Sequence, residues 1–224
     1  MKLGVLFSGG KDSCYALFKT NKEHEIACLL SVESENLDSY MFHTPNIGLA
    51  KMQAEAMGIP LLTQKTKGEK ELELEDMKAL IKRAIREFNI EGVVTGAIAS
   101  AYQFKRIQKI CTDLKLECIN PLWQKDQVEL LNELFENNFE TIIVHVAGYP
   151  LDESFLGKKI DKEMIKRLIE YKEKYKISPS GEGGEMETFV TNMPLFKKRI
   201  EIIKANTRYS NYAGDYTIEE ARLI

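Results

Sequence analysis

Ser8-Gly9-Gly10-Lys11-Asp12-Ser13 gathers residue types that suit one task, the holding of phosphate. Two glycines allow close backbone approach, two serines offer hydroxyl donors, and Lys11 adds a mobile positive charge. A glycine-rich loop that leaves a strand and opens a helix also aims several backbone N–H groups, and the positive end of the helix dipole, at one place. The hexapeptide matches neither G-x-x-x-x-G-K-[ST] nor G-x-G-x-x-G, so kinase-like γ-phosphate transfer and dinucleotide binding lose their usual support. A second group of chemical residues, Glu182, Glu185 and Glu187, lies in and after the loop Ser178-Pro179-Ser180-Gly181-Glu182-Gly183-Gly184. In a strand beginning after Gly184, Glu185 and Glu187 point to one face, and two like charges so close repel unless a cation or a donor lies between them.

The elements around these residues follow from the apolar pattern. Residues 2–7 form a strand, the helical pattern runs to about residue 21, and residues 26–32 form a second strand, a crossover whose length suits parallel pairing. Thr44-Pro45 supplies an N-cap and first-turn proline for a helix to Met57, closed by Gly58. Then come a strand at 59–63, an amphipathic helix at 71–88, a strand at 92–96, a helix at 100–114 and a short strand at 117–120. Lys67 to Asp76 reads as a solvated helix start. Five strands alternating with four helices predict an α/β fold, a doubly wound parallel five-stranded sheet of Rossmann-like type. Gly96 and Ala97 end the fourth strand at the carboxyl edge of that sheet, where such folds bind ligands.

Beyond Trp123 the rhythm changes to a helix near 127–137, a strand at 141–146, a charged helix at 158–176, and strands at 186–191 and 199–204. This predicts a smaller C-terminal α+β domain, with domains 1–122 and 123–224.

The net charge of −3, from 34 acidic and 31 basic side chains, lacks the basic surplus of a protein that neutralises a polynucleotide backbone. Apolar stretches such as Ile142-Ile143-Val144 are far short of a membrane span, and residues 3–7 are too short for a signal-peptide core. A cytoplasmic protein with no membrane and no stable nucleic-acid partner is expected. The four cysteines show no C-x-x-C spacing and read as buried free thiols. No pair among His24, His43 and His145 has metal spacing, and His145, inside an apolar strand, reads as a satisfied core histidine.

The loop 8–13 resembles, residue for residue, the S-G-G-x-D-S pyrophosphate loop (PP-loop) of N-type ATP pyrophosphatases, which split ATP into AMP and pyrophosphate. Leu37-Asp38-Ser39-Tyr40-Met41-Phe42-His43-Thr44, Gly96-Ala97-Ile98-Ala99-Ser100-Ala101-Tyr102-Gln103 and Gly181-Glu182-Gly183-Gly184-Glu185-Met186-Glu187-Thr188 are similar to diagnostic stretches of the diphthine–ammonia ligase family. The resemblance spans almost the whole chain. It implies ATP-dependent amidation of diphthine, a modified histidine of elongation factor 2, to diphthamide, through an acyl-adenylate that ammonia attacks, with Mg²⁺ offsetting phosphate charge.

On this resemblance Ser8, Gly9, Gly10, Lys11, Asp12, Ser13, Ser31, Gly96 and Ala97 bind ATP, with Lys11 and Asp12 catalytic, and residues 1–122 form the ATP-binding domain. Residues 123–224 form the substrate-binding domain. The acceptor side includes Tyr40, His43, Ser100, Tyr102, Gln103, Arg106, Glu182, Glu185 and Glu187. Ser100 also reads as an N-cap, and Arg106 reaches either phosphate or solvent. The acidic group, with Tyr40 or Tyr102, is expected to receive the trimethylammonium group of diphthine. His43, Pro45-Asn46 and Asn192-Met193 depart from the family pattern, which would have Gln, Val-Gly and Asp-Gly there.

No amidotransferase unit is evident and the cysteines are internal, so free ammonium is the simpler amine source. Two other functions share these residues: another PP-loop adenylating enzyme, such as one that modifies tRNA, and a non-catalytic ATP-binding sensor. The metal ligands and the oligomeric state, including a homo-oligomer, stay open.

Overall fold

The computed structural model describes residues 1–34, 46–67 and 72–224. The first half contains β1 (Lys2–Leu6), α1 (Lys11–Thr20), β2 (Glu25–Ser34), a 3-10 turn (Ile47–Leu49) that runs into α2 (Ala50–Met57), β3 (Leu61–Thr66), α3 (Leu72–Phe88), β4 (Gly92–Val94), α4 (Ala101–Leu114) and β5 (Glu117–Ile119). The strands form one parallel sheet in the order β3-β2-β1-β4-β5. This is the predicted doubly wound arrangement, with its topological switch point between β1 and β4. The expected start of the second helix at Thr44-Pro45 lies outside the described residues. Its end is as read: Gly58, at φ 71°, closes α2 in the left-handed conformation that glycine adopts without strain.

The second half contains α5 (Gln127–Glu136), β6 (Glu140–Ala147), α6 (Lys162–Tyr175), β7 (Met186–Asn192), β8 (Ile200–Ser210) and β9 (Ala213–Leu223). Its strands form an antiparallel sheet in the order β7-β6-β9-β8. The charged helix α6 starts later than its composition suggested, because Asp161 caps it by accepting from Met164 N at 2.9 Å. β8 is longer than the strand expected at 199–204, and β9, which the apolar pattern did not reveal, pairs with it in a hairpin through Asn211 and Tyr212, both at positive φ (51° and 61°), the backbone of a type I′ turn.

The parallel sheet is covered on both faces, which is why its central strands are continuously apolar. On one face Cys28, Leu30, Leu62 and Val93 of the sheet cluster with Leu80 and Ile81 of α3 and Ile107 of α4. On the other, Leu3, Val5, Leu17 and Leu29 join Leu130, Ile143, Leu168 and Val190 in one core shared with the second sheet. The two halves thus meet through buried apolar side chains, and that burial supplies the main force holding β7 against α1. All four cysteines are free thiols, three of them buried. Among the described residues no helix is long and apolar enough to cross a membrane.

Candidate active site

β1 ends at Leu6 and α1 begins at Lys11, so the loop between them turns at the switch point of the sheet. Gly9 adopts φ 81°, a left-handed conformation that favours glycine. Gly10 is the N-cap of α1 and supplies no side-chain acceptor, so the positive end of the helix dipole opens on the cavity beside it. That cavity, of about 510 Å³, is lined by Ser8, Gly10, Lys11, Asp12 and Ser13 from the loop, Gly96, Ala97, Ser100 and Gln103 after β4, and Glu182, Glu187 and Thr188 from the second sheet side.

The serines were expected to offer hydroxyls outward, but they shape the loop instead. Ser13 Oγ donates to Gly10 O at 3.1 Å and accepts from Ser8 N at 3.3 Å, while Ser8 Oγ accepts from Gly10 N at 3.3 Å. Lys11 was expected to be a mobile charge. It is 2% exposed, with its ammonium 2.8 Å from Asp12 Oδ2, so its charge is held in place at the cavity wall. The second oxygen of that carboxylate, Asp12 Oδ1, is buried and has no hydrogen-bond partner among the described residues.

Two residues that the sequence reading did not assign complete the loop. Gln53 on α2 donates from Nε2 to both Gly9 O (2.9 Å) and Val190 O (2.8 Å), and Thr188 Oγ1 accepts from Lys11 N at 3.1 Å. Val190 N in turn donates to Gly9 O at 3.0 Å. The loop is therefore stitched to β7. A signal for Gln53 existed: it takes a core-facing place in the Ala50, Ala54, Met57 stripe of α2 and is fully buried, where a polar side chain must find partners.

Gly96 owes its identity to close packing. A Cβ there would lie 2.8 Å from Asp12 C and 2.9 Å from Ser13 N, so β4 delivers its following turn directly onto the first turn of α1. Thr95 shapes that turn, accepting from Ala97 N at 3.2 Å and donating to Asn120 Oδ1. Ser100 is the N-cap of α4, accepting from Gln103 N at 3.3 Å. Ser31, expected to bind ATP, is buried within β2 and is not among the cavity-lining residues, which on β2 are Leu30 and Val32. On α4, Arg106 stacks on the ring of Tyr102 at 3.5 Å; neither is among the cavity-lining residues, whereas Gln103 is.

The acidic group does not share one face as expected. β7 begins at Met186, and Glu185 belongs to the preceding loop, where its carboxylate accepts from Ser178 N (3.0 Å) and Gly183 N (2.9 Å). Glu185 organises the loop and faces away from the cavity; a backbone with several unpaired N–H groups drew it in. Glu182 does line the cavity and accepts from Ala99 N at 3.2 Å. Burial, then the charge of Asp12, pushes its carboxyl above the usual range. Glu187 is raised to about 7, by burial first and by the charge of Asp215 second, with Lys11 pulling the other way. His145 is half-buried on β6 and its Nδ1 lies 2.8 Å from Asp215 Oδ1; its partner is thus a carboxylate at the sheet surface and not the apolar core. Tyr40 and His43 lie outside the described residues.

Among the described residues there is no cluster of three or more His, Cys, Asp or Glu side chains able to hold a metal ion. The buried oxygen Asp12 Oδ1, with no hydrogen-bond partner among the described residues, fits a Mg²⁺ ion that would be held mainly by phosphates and water.

A switch-point loop at a helix N-terminus, walled by a buried lysine and a carboxylate, defines a nucleotide-phosphate-binding α/β protein. Family models of the diphthamide synthase N-terminal and C-terminal domains match residues 1–118 and 126–224. The diphthine–ammonia ligase of Rattus norvegicus is 39% identical over 222 residues, covering 90% of this chain and 83% of the relative. That of Homo sapiens is 37% identical over 220 residues, covering 89% and 82%. A solved structure described as a predicted subunit of tRNA methyltransferase from Methanocaldococcus jannaschii is similar at a TM-score of 0.44 and 18% identity, covering 87% of this chain and 98% of that one, a likeness too distant to bear on function. The chain belongs to the diphthine–ammonia ligase family, also called diphthamide synthase.

Proposed function

We propose that this protein amidates diphthine on elongation factor 2, using ATP and ammonium and releasing AMP and pyrophosphate. One observation carries the reading: the phosphate loop 8–13 and the acidic segment 182–188 of the second sheet wall the same cavity. A carboxylate is a poor electrophile towards ammonia, so it must be activated at the place where the amine arrives and where water is excluded. A single cavity shared by phosphate-binding and cation-attracting residues meets that need.

In this reading residues 1–122 serve ATP and residues 123–224 serve the protein substrate. The N-terminus of α1 and Lys11 hold the β and γ phosphates, and their fixed positive charge stabilises pyrophosphate as it departs. Asp12 Oδ1 would hold Mg²⁺, which when bound neutralises phosphate charge. Gly96 and Ala97, which line the cavity, lie beside the nucleotide in this reading, in a turn that Gly96 lets pack directly on α1. Glu182 attracts the trimethylammonium group of diphthine, with Gln103 on the neighbouring wall. Glu185 supports this site through the loop it caps. The reaction belongs in the cytoplasm, where elongation factor 2 acts.

Mass spectrometry of diphthine-bearing elongation factor 2 after incubation with the protein, ATP, Mg²⁺ and ammonium tests the reading. Conversion of carboxyl to carboxamide, with AMP and pyrophosphate formed in equal amount, is expected. ATP binding without conversion would point to a sensor, and ADP as the main product would remove adenylation.

A further inference from the structure

Making an amide from ammonium sheds protons. One leaves NH₄⁺ to expose the nitrogen lone pair. After the carbon–nitrogen bond forms, a second leaves the nitrogen as the carbon–oxygen bond to AMP breaks and its electron pair departs with the phosphate. An acyl-adenylate has to be kept from water while it waits for the amine, so protons are best carried away through protein side chains.

Three strands of the second sheet carry such a route. His145 on β6 stands directly opposite Glu187 on β7 and directly opposite Asp215 on β9. Directly opposed residues of antiparallel strands place their side chains on one face of the sheet, with Cβ atoms about 4.5–5.5 Å apart. The row Glu187, His145, Asp215 therefore crosses the sheet side by side. It begins at the cavity, which Glu187 lines, and it ends in solvent. The His145 side chain is 19% exposed and that of Asp215 46%. The link between the last two is already formed, with His145 Nδ1 2.8 Å from Asp215 Oδ1.

We infer that Glu187 accepts the proton of the incoming amine and that His145 and Asp215 pass it to the surface. This rests on the amidation reading above. The Glu187 carboxylate takes a proton from nitrogen, hands it to the His145 ring, and the ring releases its Nδ1 proton towards Asp215 and then to water. Groups that act on Glu187 come from every side: Lys11 on α1 favours its charged form, Asp215 on β9 and burial favour its protonated form, His145 stands beside it on β6, and Glu182 shares the cavity. The balance leaves Glu187 titrating near neutrality, where a group both takes and gives protons readily. The trimethylammonium group of diphthine has no proton to give, which separates this role from that of Glu182.

The test uses the full protein with diphthine-bearing elongation factor 2. Exchange of labelled pyrophosphate into ATP, run without amine, reads adenylation alone. Amidation is then run with ammonium and, separately, with hydroxylamine, whose lone pair is already free at neutral pH. For Glu187→Gln the expected result is a loss of roughly 100-fold or more with ammonium, a far smaller loss with hydroxylamine, and pyrophosphate exchange that shows adenylation persisting. His145→Asn should give a smaller loss and a displaced acid limb of the ammonium pH profile. Equal losses with both amines would overturn the inference, as would exchange lost in step with amidation. If the unsubstituted protein shows no substrate-dependent exchange while amidation proceeds, adenylation is wrong and the proton route remains to be judged on the two amines; if it shows neither, the amidation reading itself falls.

Discussion

The hydroxyl of Thr188 accepts a hydrogen bond from the backbone amide of Lys11 at 3.1 Å, joining residues 177 positions apart in the chain. The first amide of α1 is thus satisfied by a strand of the other sheet, in a helix whose N-cap is a glycine. Thr188→Val keeps the shape and removes the acceptor. A stability loss of about 1 kcal/mol is expected, with a higher KM for ATP; urea unfolding and steady-state kinetics check it, and Thr188→Ser should restore both.

Gly96→Ala should be among the most damaging small substitutions. The added carbon meets backbone atoms of Asp12 and Ser13 at 2.8–3.0 Å, and neither backbone can rotate aside as a side chain would. A destabilisation of roughly 1–3 kcal/mol is expected. ATP binding should fall by more than stability alone explains, because the displaced atoms belong to the phosphate loop. Calorimetric titration with ATP beside a thermal unfolding curve separates the two effects.

Lys11→Met preserves bulk while removing the charge at the cavity wall. Its carboxylate partner then faces incoming phosphate without compensation, so pyrophosphate release should drop by roughly 100-fold or more. Asp12→Asn should instead raise the Mg²⁺ concentration needed for half-maximal activity, measured by metal titration at fixed ATP.

The pH dependence of stability should carry the mark of Glu187. Its carboxyl is raised from an ordinary 4.5 to about 7 in the folded protein, so the folded state binds its proton more tightly than the unfolded chain does. The contribution is therefore unfavourable: absent below about pH 4.5, it grows as pH rises to about 7 and is constant above. Glu187→Gln should consequently gain stability relative to the parent protein on moving from pH 5 to pH 8, as denaturant unfolding at the two values would show.

Glu185→Ala should weaken amidation although the residue faces away from the cavity. The two amides it accepts, from Ser178 and Gly183, belong to the loop that presents Glu182. A loss of about 1–2 kcal/mol is expected, together with a raised KM for the protein substrate. Glu185→Gln, which keeps an acceptor, should be milder in both.

Local signals made the phosphate loop legible. A strand, two glycines and a helix start fall within ten residues, and Ser100 announced its helix in the same way by capping it. What the sequence hid was non-local. Glu185 and Glu187 look equivalent at a spacing of two, but the strand begins one residue later than that pairing needs, and the unpaired amides of the loop claim Glu185. His145 looked like a core residue because its strand is apolar, while its partner Asp215 comes from a strand that the apolar pattern did not reveal. That strand, β9, belongs to a hairpin in which half of the residues are exposed, and its turn uses Asn211-Tyr212 where an Asn-Gly pair would have given the stronger signal.

The stitching of Gly9 and Lys11 to Val190 and Thr188 also has a consequence in time. A ribosome makes the phosphate loop well before its fastening strand. At about 5–20 residues per second, the 177 additions that lead from Lys11 to Thr188 take roughly 9–35 s. During that interval the nascent chain has the loop without its clamp, so nucleotide-binding competence waits until β7 has been made.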